Sequence, residues 1–358
     1  MPALESQAEN IAFVGHLGGT VDDVTVQGDL AYVVERSRLA IFNLSDPAAP
    51  SLVGKTVAFA GTASAVDVSG SIAYLVGETG SPPYGWLRVL DIADPSLPTE
   101  IGAYETPGSA LGVVVSGTMA YVANGSDGLR LIDVSNPSAP TEMSLWDTPG
   151  LAYDVAVDGS TTYVADGSGG LRLVDVSNPS APTEVGSCDT PGWAYGVEMD
   201  GTTAYVANGS DGLRLIDVSN PSAPTEVGSR DTPGWAYGVA VDASTAYVAD
   251  GSYGLRAIDV GNQEGPVALG GYETPGSAER LSVSGSTAYL ADVSGGLRVV
   301  DIGNPSAPLE IGAYDMPSHA QSVMLADGIA YVADGAEGLR TVDVTTPSAP
   351  MGIGFRSM

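Results

Sequence analysis

The chain has 358 residues, 44% of them hydrophobic, and a formal net charge of −30 from 43 acidic side chains against 13 basic ones, 12 Arg and the single Lys55. Such a surface repels nucleic acid and anionic membranes, and no apolar run reaches the roughly 20 residues that a membrane-spanning helix needs. His16 and His319 are the only histidines and Cys188 the only cysteine, which excludes a histidine-built metal centre and an intrachain disulfide.

The first ten residues, Met1 to Asn10, are polar and acidic, and are expected to be a disordered tail rather than a signal peptide. From there on the chain repeats. Proline-ended turns close at Pro50, Pro98, Pro140, Pro182, Pro224, Pro266, Pro308 and Pro350, with a first spacing of 48 residues and 42 thereafter. Eight units of this length, each with several short strand signals, predict one all-β domain over residues 11–356. The expected architecture is an eight-bladed β-propeller of four-stranded antiparallel blades, which uses the whole chain and is expected to be a monomer.

One unit shows the pattern. Trp193 to Met199 reads as strand a, and Asp200-Gly201 as a turn. Thr203 to Ala207 reads as strand b, followed by the Asn208–Gly212 hairpin loop. Leu213 to Val218 is nearly all apolar and reads as a strand c buried on both faces. The double-proline segment Ser219–Pro224 stops the ladder, and Thr225 to Ser229 reads as strand d. Two segments compete for the last d place, Ile11–His16 and Met351–Arg356. The N-terminal one is expected to fill it, latching the first blade to the last and removing an open sheet edge.

Successive units allow an internal comparison. Residues 171–212 and 213–254 differ at only eight of 42 positions, so shared positions read as scaffold and changed ones as candidates for function. Strand c carries Arg88, Arg130, Arg172, Arg214, Arg256, Arg298 and Arg340, each followed three residues on by Asp91, Asp133, Asp175, Asp217, Asp259, Asp301 or Asp343. The first unit has Ala40 and Asn43 instead, and this joint loss suggests coupling. The expectation is a buried Arg–Asp contact between blades, or each residue fixing a neighbouring turn. The b-to-c loops repeat Asn124, Asp166, Asn208, Asp250, Asp292 and Asp334. These support tight turns; the sharper alternative is a rim of oxygen ligands for Ca²⁺, although the full spacing of a calcium loop is missing.

The variable positions gather where strand a begins, on the face that also bears the b-to-c loops. Units four to six supply an aromatic sector of Tyr153, Trp193, Tyr195, Trp235 and Tyr237. Units seven, eight and one supply a polar sector of Glu279, Arg280, His319, Gln321, Asp22 and Asp23. A six-residue insertion in unit two, with Tyr84 and Trp86, is expected to overhang the same face. Exposed aromatics beside adaptable polar groups build binding surfaces and suit sugar rings; the competing reading is packing between blades. Asp67 and Glu198 stand on strand a where other units have Ala156 and Ala240, and are expected to line the central channel. No nucleophile elbow, phosphate loop or dinucleotide fingerprint is present. A carboxylate pair for glycoside hydrolysis stays open, with no pair singled out among 43 acids.

The run Leu213–Val218 followed by Asn220-Pro221-Ser222-Ala223-Pro224 resembles the LVIVD repeat, and the likeness covers roughly residues 11–356. The Gly-His and Trp-Asp dipeptides of WD40 units do not recur, and the second strand c residue, usually Val, is Arg in most units. The resemblance implies a bacterial or archaeal propeller, extracellular or at the cell surface, and carries over no catalytic residues. The expectation is therefore a non-enzymatic module that binds a carbohydrate or protein on its top face, without a cofactor, with a purely structural spacer as the alternative and a hydrolase behind both.

Overall fold

The structure, a computed structural model, describes residues 21–27, 30–35, 37–43, 51–80, 84–293, 295, 297–314, 320–326, 328–334, 338–345 and 350–356. Every regular element in them is a strand. The strands form eight four-stranded antiparallel sheets, each built from consecutive segments of chain. The innermost strands are Val21–Gln27, Thr62–Ser69, Gly112–Ser116, Asp154–Asp158, Gly196–Asp200, Gly238–Asp242, Arg280–Ser284 and Ala320–Ala326. Each lies against the next, and the first against the last, so the ring of inner strands is continuous.

The strand that completes blade eight is Met351–Arg356, paired with Gly338–Asp343. This corrects the expected latch: with every blade assembled from its own four consecutive strands, no place is left beside Gly338–Asp343 for an N-terminal strand. Ile11–His16 and the expected tail lie outside the described residues.

The core is repeated between blades rather than pooled in one place. Strand b is buried at all five positions in Met119–Ala123, Thr203–Ala207, Thr245–Ala249 and Thr287–Ala291. Between blades five and six, Tyr205, Leu213 and Leu215 pack on Val248, Ile258 and Val260. Fully burying one such Leu or Val is worth about 1.5–3 kcal/mol, and each interface repeats the set. Strand d is the exposed outer edge and carries a bulge in every blade, as between Leu215 and Ile216 opposite Gly228 and Glu226.

The recurrent glycine of strand d and the double-proline turn explain each other. A Cβ on Gly186 would lie 2.1 Å from the carbonyl oxygen of Pro221 in the next blade, and one on Gly228 would lie 1.8 Å from that of Gln263. Only glycine lets the neighbouring turn come this close. Within the same turns each strand c Asp accepts a backbone N–H two residues on: Asp133 from Ser135, Asp217 from Ser219, Asp259 from Gly261, all at 2.8 Å. Hydrogen bonds from Ser135 and Ser219 hold the Asp133 and Asp217 carboxyls below the usual carboxylate range. Of the two expectations for the Arg–Asp motif, the turn-fixing one holds for these Asp, and the buried pair does not form. An odd spacing on a strand sends the two side chains to opposite faces, and the Asp ends in solvent.

Candidate functional site

The strand c arginines point instead to the top rim. In five blades they reach an acid of their own strand d, as Arg88 reaches Glu100 at 3.1 Å, Arg172 Glu184 at 3.5 Å and Arg214 Glu226 at 3.6 Å. Arg172 and Arg214 also hold the d-to-a loop through Asp189 at 2.8 Å and Asp231 at 3.0 Å. Beneath that loop sits the b-to-c Asx residue, with Asn124, Asp166, Asn208, Asp250 and Asp292 all fully buried. Thr106 donates to Asn124 at 2.7 Å, Thr232 to Asp250 and Thr274 to Asp292. The N–H groups of Gly150, Gly234 and Gly276 donate to Asp166, Asp250 and Asp292 at 2.8, 3.0 and 2.8 Å. Burial raises these three Asp pKa values above the usual carboxylate range; the Thr, Gly and Arg partners oppose it. Asp166, Asp250 and Asp292 thus tie the b-to-c loop to a d-to-a loop 16 to 18 residues earlier in the chain, a longer reach than the support of their own turn expected from sequence. Among the described residues no group of three or more His, Cys, Asp and Glu is placed to hold a metal ion.

Above this network the blades are tied by short backbone bridges. Gly209 N–H donates to Ala236 C=O at 3.1 Å and Ala236 N–H returns to Gly209 C=O at 2.9 Å, and Gly167 pairs with Ala194 in the same way. The glycines here have positive φ, 51° at Gly167 and 56° at Gly209, which side chains rarely adopt. Extended chain alternates its side chains. Burying Ala194 and Ala236 therefore turns Trp193 and Tyr195, and Trp235 and Tyr237, to the upper surface.

The result is a continuous aromatic arc over blades four to six. Ring centroids are 6.2 Å apart for Tyr153–Trp193, 4.9 Å for Tyr153–Tyr195, 6.2 Å for Tyr195–Trp235 and 5.2 Å for Tyr195–Tyr237. Trp193 and Trp235 lie nearly parallel to the Tyr two residues on, at 28° and 30°. The two indoles are 41% and 48% exposed, so half of each is free for a ligand. A recess of about 250 Å³ at the end of the arc is lined by Trp235, Tyr237, Gly251, Ser252 and Ser277.

Inside the arc, the mouth of the central channel is a cavity of about 290 Å³, with Tyr153, Asp154, Glu198 and Arg280 on its wall. Glycines Gly112, Gly196 and Gly238 at the position equivalent to Asp154 keep it open. Inner strands present unpaired N–H groups to the channel, and two acids cap them across a blade boundary. Asp154 accepts Val197 N–H at 3.2 Å, and Asp67 accepts Val115 N–H at 2.7 Å. Burial raises the Asp154 pKa, opposed by the Arg280 guanidinium and by its hydrogen bonds to Val197 and Val155. The Glu198 pKa is raised as well, by burial first and then by Asp154 and Asp200. Glu198 is exposed on the wall of this cavity.

The repeat unit and the blade coincide. The family model for the LVIVD repeat matches residues 18–57, 60–106, 107–148, 149–190, 191–232, 233–274, 275–316 and 317–354. The chain belongs to the LVIVD-repeat family. A search of curated proteins finds no match. Among solved structures, the computationally designed Ika8 protein is similar at TM-score 0.72 and 10% identity, over 91% of this chain and 97% of that one. Sqt1 of Saccharomyces cerevisiae is similar at TM-score 0.72 and 8% identity, over 93% and 98%. Sqt1 of Chaetomium thermophilum, solved bound to the N-terminus of the ribosomal protein L10, is similar at TM-score 0.61 and 16% identity, over 77% and 82%. At these identities the likeness shows the fold.

The LVIVD-repeat propeller gathers only some of the residues singled out from sequence. Tyr153, Trp193, Tyr195, Trp235 and Tyr237 form the arc, Glu279 lies close enough to Tyr237 to raise its phenol pKa, behind burial, and Arg280 faces the channel. Tyr84 is 58% exposed but stands in blade two. Trp86 is not on the surface. It is 1% exposed, packs on Phe59 at 6.0 Å and lies under the Arg88 guanidinium at 5.6 Å. The reason is that the insertion lengthens the hairpin: Ile72–Thr79 and Tyr84–Asp91 are eight residues each, and Trp86 pairs with Gly77 inside the ladder. His319 and the side chains of Asp22, Asp23 and Gln321 lie outside the described part. Asp154 shares its place in the repeat with residues as different as Ala65, Gly196 and Arg280, and its service to a neighbouring N–H has no sequence signal.

Proposed function

We propose that this propeller is a non-enzymatic interaction module that binds a carbohydrate or a protein on its top face, as a monomer, outside the cell or at its surface. The observation that carries the reading is the arc of five rings across three blades, with both indoles half exposed. Stacked, rigid aromatics offer large apolar faces at low entropic cost, the property that anchors binding surfaces. Sugar rings present matching apolar faces. A protein segment is the other ligand of the same chemistry, and the Sqt1 propeller bound to a ribosomal protein's N-terminus is a precedent for the fold. The net charge of −30 favours a neutral or cationic ligand and disfavours nucleic acid.

Titration of tryptophan fluorescence with soluble polysaccharides and with basic and neutral peptides tests this. A saturable change that Trp193→Ala and Trp235→Ala each weaken by about 2 kcal/mol or more is the expected result. A flat response from the folded protein sinks the reading. The second reading, a spacer, rests on the near identity of residues 171–212 and 213–254, because unspecialised copies suit a purely structural role. The extracellular setting is tested by labelling intact cells with a membrane-impermeant reagent; protection of the chain from label counts against it.

A further inference from the structure

Blade six departs from the arginine pattern in one respect. Arg256 is kept, but the strand d acid that pairs with Arg88, Arg130, Arg172, Arg214 and Arg298 in their blades is replaced by Ala268. Two further changes fall on the same spot. Ser229 of the preceding blade becomes Gly271, and Cys188 of the preceding boundary becomes Arg230. The outcome is a cavity of about 290 Å³ between the outer strands of blades five and six, lined by Arg230, Arg256, Ile258, Ala268, Leu269 and Gly271.

We infer that this cleft binds a carboxylate carrying an apolar tail, with Arg230 and Arg256 as its anchors. The preceding boundary shows what fits there. Glu226 reaches Arg214 at 3.6 Å in the cleft beside Cys188. Blade six keeps the arginine and deletes the carboxylate, so an external carboxylate restores the pair. The Nη1 of Arg256 is the open position. It lies over Gly271, only 2.3 Å from where a Cβ there would be, while its Nε and Nη2 face Asp250 at 3.5 Å and Glu273 at 3.7 Å. Arg256 also stacks on Tyr253 at 5.6 Å, which fixes the head. Arg230 at the rim has no ion-pair partner among the described residues, in a chain of net charge −30. The remaining acid on the wall, Asp231, is already held by Arg214 at 3.0 Å. Ile258 and Leu269 supply an apolar floor, which a bare inorganic anion leaves unused. A planar guanidinium selects carboxylate geometry.

Calorimetric titration of the whole chain with acetate, butanoate and hexanoate, with hexylamine and hexanol as controls, tests the assignment. The expected result is affinity that rises with chain length for the acids alone. Ala268→Glu, which rebuilds the pair that blade five already contains, weakens hexanoate at least tenfold with an unchanged melting temperature. Arg230→Cys, the residue of the duplicate unit, weakens it severalfold and serves independently should the first variant misfold. Equal binding of hexanoate and hexylamine, wild-type affinity in both variants, or no saturation by about 10 mM overturns the proposal. Leucine-ended peptides with a free or an amidated C-terminus separate the sources. Tighter binding of the free-ended peptide than of hexanoate assigns a peptide terminus, and the reverse assigns a free acid; both retain the carboxylate.

Discussion

Two layers of the top face lie within a few ångströms of each other and obey different rules. The lower layer keeps a fully buried Asx in blades three to seven, and Thr or Gly groups donate to it in blades three, four, six and seven. The upper layer, at the entrance to strand a, changes from Leu151 and Tyr153 to Trp193 and Tyr195, then to Ser277 and Glu279. A buried polar group must find its partners or cost stability, so the lower layer tolerates few side chains. The upper layer faces water, where a substitution costs little and a ligand decides what is useful. The loop network is therefore the frame, and the arc is what the frame displays.

The contrast is broken most severely from below. Asp250→Ala strands the Thr232 hydroxyl and the Gly234 N–H and leaves Arg256 with Glu273 alone, and is expected to cost about 3–5 kcal/mol in denaturant unfolding. Asp250→Asn copies Asn208 of the duplicate unit and is expected to stay within about 1 kcal/mol of wild type at neutral pH. A large loss for the Asn variant means that the charge, and not the hydrogen bonds, holds the loops. From above, Tyr195→Ala removes the ring that touches Tyr153, Trp193, Trp235 and Tyr237. It is expected to cost about 2 kcal/mol and to shift tryptophan emission to the red. Unchanged emission means that the indoles hold their places without the arc.

Acidity sharpens the same comparison. The Asp166, Asp250 and Asp292 carboxyls have folded pKa values raised mainly by burial. A raised value means that the folded state holds the proton more tightly. Their contribution is present in full below the unfolded value near 3.8 and is lost as pH rises through the folded values. The lowered Asp133 in its turn acts oppositely: its contribution is present above 3.8 and is lost as pH falls through its folded value. Asp250→Asn should thus gain on wild type as pH rises from 4 toward neutrality. Parallel pH profiles for the two proteins contradict the assignment. The smallest effect expected is at Ala243, which takes φ of 52° where the equivalent Gly201 has 58°. The glycine turn has open space around it, so Ala243→Gly relieves backbone strain alone. A gain of up to about 1 kcal/mol is expected, and a loss shows that chain entropy outweighs the strain.

Much of this was legible in the chain. The 42-residue spacing gave blade number and strand order, because a fixed repeat of strand and turn residues leaves few ways to bury each blade. The aromatic sector was legible too, since a duplicated frame makes every departure visible. The errors lie where a residue's surroundings come from elsewhere. Trp86 sits in an insertion, and nothing nearby says whether an insertion forms a loop or extends a ladder. The terminal strand was misassigned because Ile11–His16 and Met351–Arg356 carry equivalent patterns, and only strand pairing distinguishes them.

The sequence by itself determined the periodic part: eight blades, their strands, and the glycine and proline positions that close packing requires. Tertiary structure decided everything that depends on a neighbour's position. It turned the strand c Asp to its own turn and the Arg to the top rim, joined five separate rings into one arc, and aimed Asp154 at an N–H 43 residues away. It also opened a cleft beside Arg256, where blade six has Ala268 in place of a strand d acid. Local patterns set backbone form because propensity and periodicity act over a few residues. Contacts between blades depend on how the ring closes, and no single repeat contains that information.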